Sequence, residues 1–386
     1  MKVEYIKNYL LSESLATYDP YDVWKTSWGA KIKQLYYYNK YLGLLPAGLL
    51  TIFDFYINNK KRYAYHKQEY PIVRAQAAIS LLNLYEKEKD TEYLSYAKKH
   101  IDWLLENAST GYSGYCWGMN YDWVYSADEY YDKNTPFSTH TPYPLEALIQ
   151  YYHITKEEEI LKVIKSLFLF LENDLQVMYE DDETLTLSYG VEKDRIVTNA
   201  NSYSMYMYAL LLEFFPEKQV YIKRKISKLY NFICSVQQEN GSWLYSPYEE
   251  DTFIDCFHSA IVLKNIIKSN ILVNLNSQSV VEQGYEYILN NFMDREYKLC
   301  KRFSVSNKMS LIKFDLYDNA EVLNLAILQE DETTIVELSS AIEKYFVNEK
   351  EEIASTLDLF NYQKNFNHLR WAVVPYLNTL SKLEVH

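Results

Sequence analysis

The feature that most constrains the fold is an alternation of two kinds of helical segment along the chain. Some segments are apolar on nearly every side, which is typical of buried helices, whereas others have one apolar stripe and one charged face. The apolar segments open on polar anchor residues 52 to 67 positions apart, and this period indicates a repeat architecture. The six anchors are Arg74, Thr141, Asn201, His258, Asp318 and Arg370.

The two kinds of segment together predict an all-α fold, an (α/α)6 toroid in which six inner helices are surrounded by six outer ones. The inner helices are predicted at 71–85, 141–154, 198–215, 255–267, 314–328 and 368–383. Five outer helices are predicted at 91–109, 157–173, 218–238, 279–293 and 332–349. The segment 31–58 is predicted to supply the sixth outer helix, so that residues 1–386 form a single domain whose N-terminus closes the ring.

Five long connections return the chain from an outer helix to the next inner one. Loops longer than about 12–15 residues in a compact domain are usually functional. All five enter the same end of the inner helices, and we therefore expect the functional site at that face. The five are 108–140, 174–197, 239–254, 294–313 and 350–367.

The candidate catalytic residues lie at or near the starts of inner helices. Asp255 and His258 are three positions apart and share one helix face, and a carboxylate beside a histidine suits a general base or acid. His140 precedes another inner helix. A glycosidase needs two carboxylates beside the scissile bond, for which Asp122 and Asp255 are the best pair. Helix capping and core hydrogen bonding are the alternative roles.

Aromatic and polar residues near the same face are candidates for substrate binding. Exposed aromatic rings offer flat plates on which sugars stack, while amides, carboxylates and guanidinium groups bind hydroxyl or carboxylate groups. The alternative is packing of loops onto the ring, capping, and ion pairs inside the protein. The candidate aromatic residues are Trp117, Tyr121, Trp123, Tyr189, Trp243, Tyr248 and Trp371. The polar candidates are Arg74, Asn199, Asn201, Asp315, Asp318 and Arg370.

Charge and composition exclude several classes of partner. The net charge is −13 without a basic block, so nucleic acid is not expected, and an anionic membrane surface is expected to repel the chain. No apolar run approaches the roughly 20 residues of a membrane span, which predicts no membrane insertion. The four cysteines form no CxxC pair and indicate reduced thiols in a cytoplasmic protein. We expect no cofactor and no metal.

Several motifs in order give the chain a family resemblance. They are YDPYD (18–22), GYSGYCWG (111–118) with YDW (121–123), NTPFSTHTPYPLEAL (134–148), VTNAN (197–201), FIDCFHSAIVLK (253–264) and RWAVVPYLNTL (370–380). Together they resemble bacterial polysaccharide-biosynthesis proteins encoded among exopolysaccharide and capsule genes. The resemblance implies a six-hairpin toroid and a polysaccharide pathway, but no reaction. The chain departs from the pattern at Thr198 and Cys256, where the family has other residues.

Three classes of function fit these features. The first is a carbohydrate-active enzyme of surface-polysaccharide biosynthesis or processing, with cleavage by a hydrolase or uronate lyase favoured over epimerisation. The second is a non-catalytic glycan-binding or scaffold component that contacts other polysaccharide-synthesis proteins. The third, least favoured, is a zinc enzyme using Asp255, His258 and a cysteine such as Cys116 or Cys256. The expected partner is an oligosaccharide or polysaccharide.

Overall fold

The computed structural model describes residues 2–128, 130–192, 195–250, 252–306 and 310–385. The described α-helices are α1 (Lys2–Leu10), α2 (Asp22–Lys25), α3 (Ser27–Tyr38), α4 (Lys40–Ile52), α5 (Pro71–Glu88), α6 (Thr91–Glu106), α7 (Pro142–Thr155), α8 (Glu158–Leu169), α9 (Thr198–Leu211), α10 (Gln219–Ser235), α11 (Cys256–Val273), α12 (Gln278–Asn291), α13 (Leu316–Leu328), α14 (Glu332–Phe346) and α15 (Val374–Val385). π-helical turns extend α4 (Phe53–Ile57) and α8 (Phe170–Asp174) and precede α15 (Leu369–Val373).

The helices form the (α/α)6 toroid. The inner helices α5, α7, α9, α11, α13 and α15 each pack against the next, and α15 packs back on α5 to close the ring. The outer helices α6, α8, α10, α12 and α14 each pack on the inner helix that precedes them in the chain. Their apolar stripes join the inner helices in one continuous core. The predicted fold and the six predicted inner helices are confirmed.

The sixth outer position corrects the prediction for 31–58. The helix that packs on α15 and α5 is α1, whose Tyr5, Ile6 and Leu10 are buried in the main core. The segment 31–58 instead forms α3, α4 and the π-helical turn, and α3 and α4 pack on each other. It packs through a separate small hydrophobic cluster of Val23, Leu50 and Tyr65. A nine-residue helix with five apolar or aromatic residues gives a weaker periodic signal than 31–58, which explains the wrong choice.

Short antiparallel strands connect the return loops. The described strands are β1 (Trp123–Val124), β2 (Tyr130–Tyr131), β3 (Val177–Glu180), β4 (Leu185–Leu187), β5 (Ile254–Asp255), β6 (Phe303–Val305), β7 (Ile312–Asp315), β8 (Ala354–Asp358) and β9 (Gln363–Phe366). They pair as β1–β2, β3–β4, β5–β6 and β7–β8–β9. The pairs β5–β6 and β7–β8 each join the return loops of neighbouring helical hairpins. These loops therefore form a connected rim at one end of the ring.

One described helix is long and apolar enough to cross a membrane by length and composition alone. It runs from Lys40 to Ile57, through α4 and its π-helical turn, and 22% of it is buried inside the protein. The other apolar helices belong to the buried ring. This segment is therefore apolar for a reason other than packing in the core.

Candidate active site

The starts of the inner helices and the return loops form one face of the ring, which we call the mouth. Ring contacts connect its members. Phe257 of α11 contacts the rings of Tyr317 and Trp371 at centroid distances of 5.1 and 5.4 Å. Trp371 Nε1 donates a hydrogen bond of 2.9 Å to Asp315 before α13. The mouth therefore brings together residues of three consecutive inner hairpins, as the sequence predicts.

The Asp255–His258 pair lies in the mouth at the start of α11. His258 Nδ1 is 2.8 Å from Asp255 Oδ2, and Asp255 is buried while His258 is partly exposed. A proton on Nδ1 is held by the carboxylate, which leaves Nε2 as the nitrogen that can accept a proton from a ligand. Tyr245 and Phe257 flank the imidazole at centroid distances of 4.6 and 3.8 Å. Asp255 thus orients His258, whose imidazole lies between aromatic rings and can act as a base.

A small pocket opens beside this histidine. It provides about 210 Å³ of space that is open to solvent. Because this space is continuous with bulk solvent, the pocket is an open recess beside the imidazole and does not by itself enclose a sugar ring. Asn199 lies in its wall with a buried side-chain oxygen that has no hydrogen-bond partner. The lining residues are Thr198, Asn199, Trp243, Leu244, Tyr245, Asp255, His258, Ser259 and Val262.

A second histidine and an arginine also lie at the mouth. His140 precedes α7 and is partly exposed. Burial, together with the charge of Arg370, lowers the pKa of His140 to about 3, so this imidazole is neutral at pH 7. Arg370 forms an ion pair with the buried Asp19 and stacks over Tyr70 and Tyr121 at 5.3 and 6.0 Å. Burial opposes this ion pair, but Arg370 outweighs it and holds the pKa of Asp19 well below its usual range.

The N-terminal segment covers part of the mouth. Tyr21 packs edge-on against Trp371 and Trp123 at 5.3 and 6.4 Å. Arg302, from the loop before α13, donates a hydrogen bond of 3.0 Å to the Tyr21 hydroxyl and lies 3.9 Å from Asp315. The sequence did not predict Tyr21 or Arg302 as site residues. Arg302 lies in a return loop, which was the one signal that it could be a site residue. Nothing in the sequence placed Tyr21 at the mouth, because 31–58 was assigned to the outer ring.

The carboxylates of Asp255, Asp315 and Asp318 at the mouth are buried, and each accepts at least one hydrogen bond, although Asp318 Oδ2 has no partner. Asp318 Oδ1 accepts a hydrogen bond of 3.0 Å from the backbone N–H of Phe257, and burial, with a further contribution from Asp315, raises the pKa of Asp318 well above its usual range. Burial also raises the pKa of Asp315, whose carboxylate caps α13 at Tyr317 N. These aspartates therefore support the helix starts. The side chains that a ligand can reach are histidines, arginines and aromatic rings.

Four predicted binding residues are structural. Trp117 and Trp243 are buried, and their indole N–H groups bond to the carbonyls of Leu104 and Ile233 at 2.9 Å, so neither offers an exposed ring face, although Trp243 lines the wall of the pocket beside His258. Arg74 is buried in a two-bond ion pair with Glu69 and also contacts His100. Asn201 is buried, and its amide bonds both backbone groups of Leu187. Each of these side chains makes a hydrogen bond to a polar group of a return loop or a helix.

Two other predicted residues lie outside the mouth cluster. Asp122 is exposed, and its carboxylate accepts a hydrogen bond of 2.8 Å from the backbone N–H of Lys133. The structure therefore does not pair Asp122 with Asp255, which is buried and bound to His258. Tyr248 is 69% exposed on the loop before β5. Residues that do lie at the mouth are His140, Tyr121, Trp123, Tyr189, Asn199, Asp255, His258, Asp315, Asp318, Arg370 and Trp371.

The arrangement gives no support for the zinc alternative. Cys256 is buried beside Cys300, and burial raises the pKa of the Cys256 thiol well above its usual value. Among residues in the described parts of the chain, no group of three or more His, Cys, Asp and Glu side chains is placed to hold a metal ion. The four cysteines are free thiols.

Comparison with known proteins finds solved structures of similar fold. No family model matches the chain, and no curated protein matches it in sequence. The chain is similar to the cellobiose 2-epimerase of Bacillus thermoamylovorans, with a TM-score of 0.64 and 13% identity over 82% of this chain and 88% of that one. A GH76 α-mannanase of Bacteroides thetaiotaomicron gives a TM-score of 0.60 at 10% identity, over 95% and 99% of the two chains. A polysaccharide lyase gives 0.54 at 9%, over 93% and 99%.

These similar structures define the class of fold. They are (α/α)6 toroids of carbohydrate-active enzymes that catalyse different reactions. At 9–13% identity they establish the architecture of this chain and leave its chemistry to be argued from the side chains at the mouth.

Proposed function

We propose that this protein is a sugar-processing enzyme that moves a proton at a carbon next to a carbonyl group, as in epimerisation or isomerisation of a sugar. The observation that carries the proposal is the Asp255–His258 pair, held 2.8 Å apart beside an open recess whose wall includes the unpartnered side-chain oxygen of Asn199. The motif resemblance adds a role in surface-polysaccharide biosynthesis or processing. A cytoplasmic location and contacts with other synthesis proteins belong to the same proposal.

The mouth contains the parts that this reaction needs. His258 Nε2 takes the proton from the carbon, and Asp255 stabilises the imidazolium that results. The negative charge that develops on the carbonyl oxygen is stabilised by a guanidinium group, for which Arg370 and Arg302 are the candidates. Trp371 and Tyr245 provide ring faces for the sugar. The protonated His258 can return its proton to a carbon of the substrate, and His140, neutral at pH 7, can donate a hydrogen bond to a substrate oxygen.

The same geometry argues against the hydrolysis that the sequence favours. A glycosidase uses two carboxyl groups at a defined separation across the scissile bond. Asp255, Asp315 and Asp318 are buried and engaged, and Asp122 is exposed and bonded to backbone. Elimination from a uronate also uses a base and a cationic group, and it is separated from epimerisation by its unsaturated product.

The test is proton exchange in heavy water. The full chain is incubated in D2O with D-mannose, D-glucose or cellobiose, and NMR follows deuterium at C2 and the appearance of the epimer or ketose. We expect exchange with one of these sugars, and a loss of about 10²- to 10⁴-fold in its rate for His258→Asn. His153→Asn is the matched control, because His153 is exposed and pairs with Glu213 away from the mouth.

The competing reactions give different products in the same experiment. Oligosaccharides containing uronates are incubated alongside, and their products are identified by mass spectrometry. A gain of water or an unsaturated product would replace the proposal by hydrolysis or elimination. Binding without exchange or cleavage by the stable protein would favour the glycan-binding alternative.

A further inference from the structure

A helical hairpin beside the mouth exposes an apolar surface. We call residues 27–57, which comprise α3, α4 and the π-helical turn, the apolar hairpin. Leu42, Leu45 and Leu49 on α4 are 63%, 70% and 60% exposed, and their spacing of three and four residues places them on one side. Ile52 and Tyr56 continue this stripe into the π-helical turn. Monomeric soluble proteins rarely expose contiguous apolar patches larger than a few hundred Å², and such patches mark interaction sites.

The charge of the surrounding segment is opposite to that of the molecule. Residues 24–67 contain eight Lys and Arg side chains and one Asp, a net charge of +7 in a chain of −13. The single acid, Asp54, is buried and accepts a hydrogen bond from Tyr65. Lys31, Lys60 and Lys61 are among the exposed cations. The apolar stripe is therefore bordered by positive charge.

The hairpin is fixed to the rest of the protein by its other side. Helix α3 packs against β1, and Lys33 Nζ lies 3.4 Å from the centroid of the Trp123 ring at the mouth. Gly43 allows close contact between α3 and α4, since a Cβ there would lie 2.2 Å from the Tyr36 Cα. The inner side of the hairpin is thus occupied, and the stripe of α4 is the side that remains for another surface.

We propose that the apolar hairpin docks on the surface of an anionic lipid bilayer. Apolar side chains bordered by Lys and Arg, with tyrosines beside them, are the features of a helix that lies in a membrane interface. Tyr38, Tyr41 and Tyr63 are exposed at 77%, 94% and 64%. The expected repulsion is offset locally, because an anionic surface meets the exposed cations of this segment, among them Lys31, Lys60 and Lys61.

A second copy of the chain is a poorer occupant of this surface. An isologous dimer would bring the same patch of both subunits together, and each would contribute the same +7 segment. Like charges placed face to face disfavour an interface, whereas anionic headgroups neutralise them. Docking in the interface is also more consistent with the hairpin than spanning, because α3 stays packed on the protein and carries lysines along its length.

The experiment measures binding of the purified full chain to vesicles by cosedimentation. One set contains phosphatidylcholine alone, and the other contains phosphatidylcholine with about one-third phosphatidylglycerol. We expect binding to the anionic vesicles that weakens with added salt. Lys60→Gln with Lys61→Gln should weaken the partition constant about 25-fold, since each charge near such a surface contributes about fivefold. Leu45→Ser with Leu49→Ser should weaken it by at least about tenfold.

Matched variants on the outer ring are the controls. Lys165→Gln with Lys223→Gln removes two exposed lysines, and Val220→Ser with Val336→Ser removes two exposed apolar side chains, all distant in sequence from the hairpin. These variants should bind like the parent. The proposal is overturned if the folded parent binds neither kind of vesicle, if both kinds bind equally, or if the stripe instead drives self-association that Leu45→Ser and Leu49→Ser abolish. Circular dichroism checks that each variant is folded.

Discussion

His100 is a buried histidine that connects three parts of the chain. Its Nδ1 lies 2.8 Å from Arg74 on α5, and its Nε2 lies 3.2 Å from the carbonyl of Leu10 at the end of α1. Since an arginine only donates, Nδ1 must accept and Nε2–H must donate, which is the neutral imidazole. Burial, followed by the charge of Arg74, lowers the pKa of His100 to about 4.

The lowered pKa of His100 predicts that the folded protein loses stability in mild acid. Between its folded pKa of about 4 and the unfolded value near 6.5, the unfolded chain binds a proton that the folded chain does not. Stability therefore falls as the pH decreases through this window, by about 3 kcal/mol in total. His100→Gln should unfold with a shallower pH dependence between pH 6.5 and 4 in urea titrations. An equal slope in both proteins would show that folding does not lower the pKa of His100.

Two tryptophans of the return loops predict a separation between stability and sugar recognition. Trp117 and Trp243 each fix a loop to the end of an outer helix through the indole N–H. Replacement by Phe should lower the free energy of unfolding by about 1–3 kcal/mol, because the carbonyl of Leu104 or Ile233 loses its donor. Sugar exchange by the folded Trp117→Phe variant should stay near that of the parent, because Trp117 does not line the pocket beside His258. Trp371→Phe, by contrast, should lower exchange, as measured by the NMR assay.

These residues also show what a sequence conveys at this scale. The sequence places His140, Asp255, His258 and Arg370 at helix starts, and all four lie at the mouth. It does not reveal which aromatic rings in a Gly-rich loop are buried, because Trp has the same composition signal in a core as in a cleft. Gly118 shows that this loop is closely packed, since a Cβ there would lie 1.9 Å from the Thr135 carbonyl oxygen. That glycine serves close packing of the loop, and the tryptophan beside it is buried by the same contact.

At the scale of helices, the position of α1 predicts a contrast between two apolar segments. Ile6 of α1 has no exposed surface, whereas Leu42 of α4 is 63% exposed. Ile6→Ala should lower the free energy of unfolding by about 2–5 kcal/mol, as for other buried aliphatic residues. Leu42→Ala should change it by no more than about 0.5 kcal/mol. Equal losses of unfolding free energy for the two variants, in thermal or urea unfolding, would favour 31–58 over α1 as the sixth outer helix.

The periodic patterns of the helices predict most elements but not every partner. Inner helices were recognisable because a segment apolar on all sides has to be buried, and α5, α7 and α11 begin within one residue of the predicted starts. The strand pair β7–β8 was not predicted, since its pairing depends on two loop segments that meet in three dimensions. The sequence assigns the apolar segment 31–58 to the outer ring, because hydrophobicity alone does not distinguish a surface that packs on the core from one that docks elsewhere.

At the scale of the molecule, ring closure couples the two ends of the chain. Asn83 of α5 bonds Ser381 of α15 at 2.9 Å, and the amide of Asn378 contacts the Gln76 carbonyl at 3.3 Å. Each inner helix is supported by both neighbours, so opening the ring at one place removes contacts that the next pair depends on. A chain of 386 residues organised in this way is expected to behave as one domain.

The single domain predicts one unfolding transition around the whole ring. Cys116 and Cys300 are fully buried thiols in loops that belong to different hairpins, and both become reactive when their surroundings open. In increasing urea, thiol labelling followed by peptide mass spectrometry should give one midpoint for both cysteines, coincident with the loss of helical circular dichroism. Leu377→Ala on α15 should shift both labelling midpoints together, because its packing is part of the closed ring. Two separate midpoints would mean that the ring contains independently folding halves and that its closure is not cooperative.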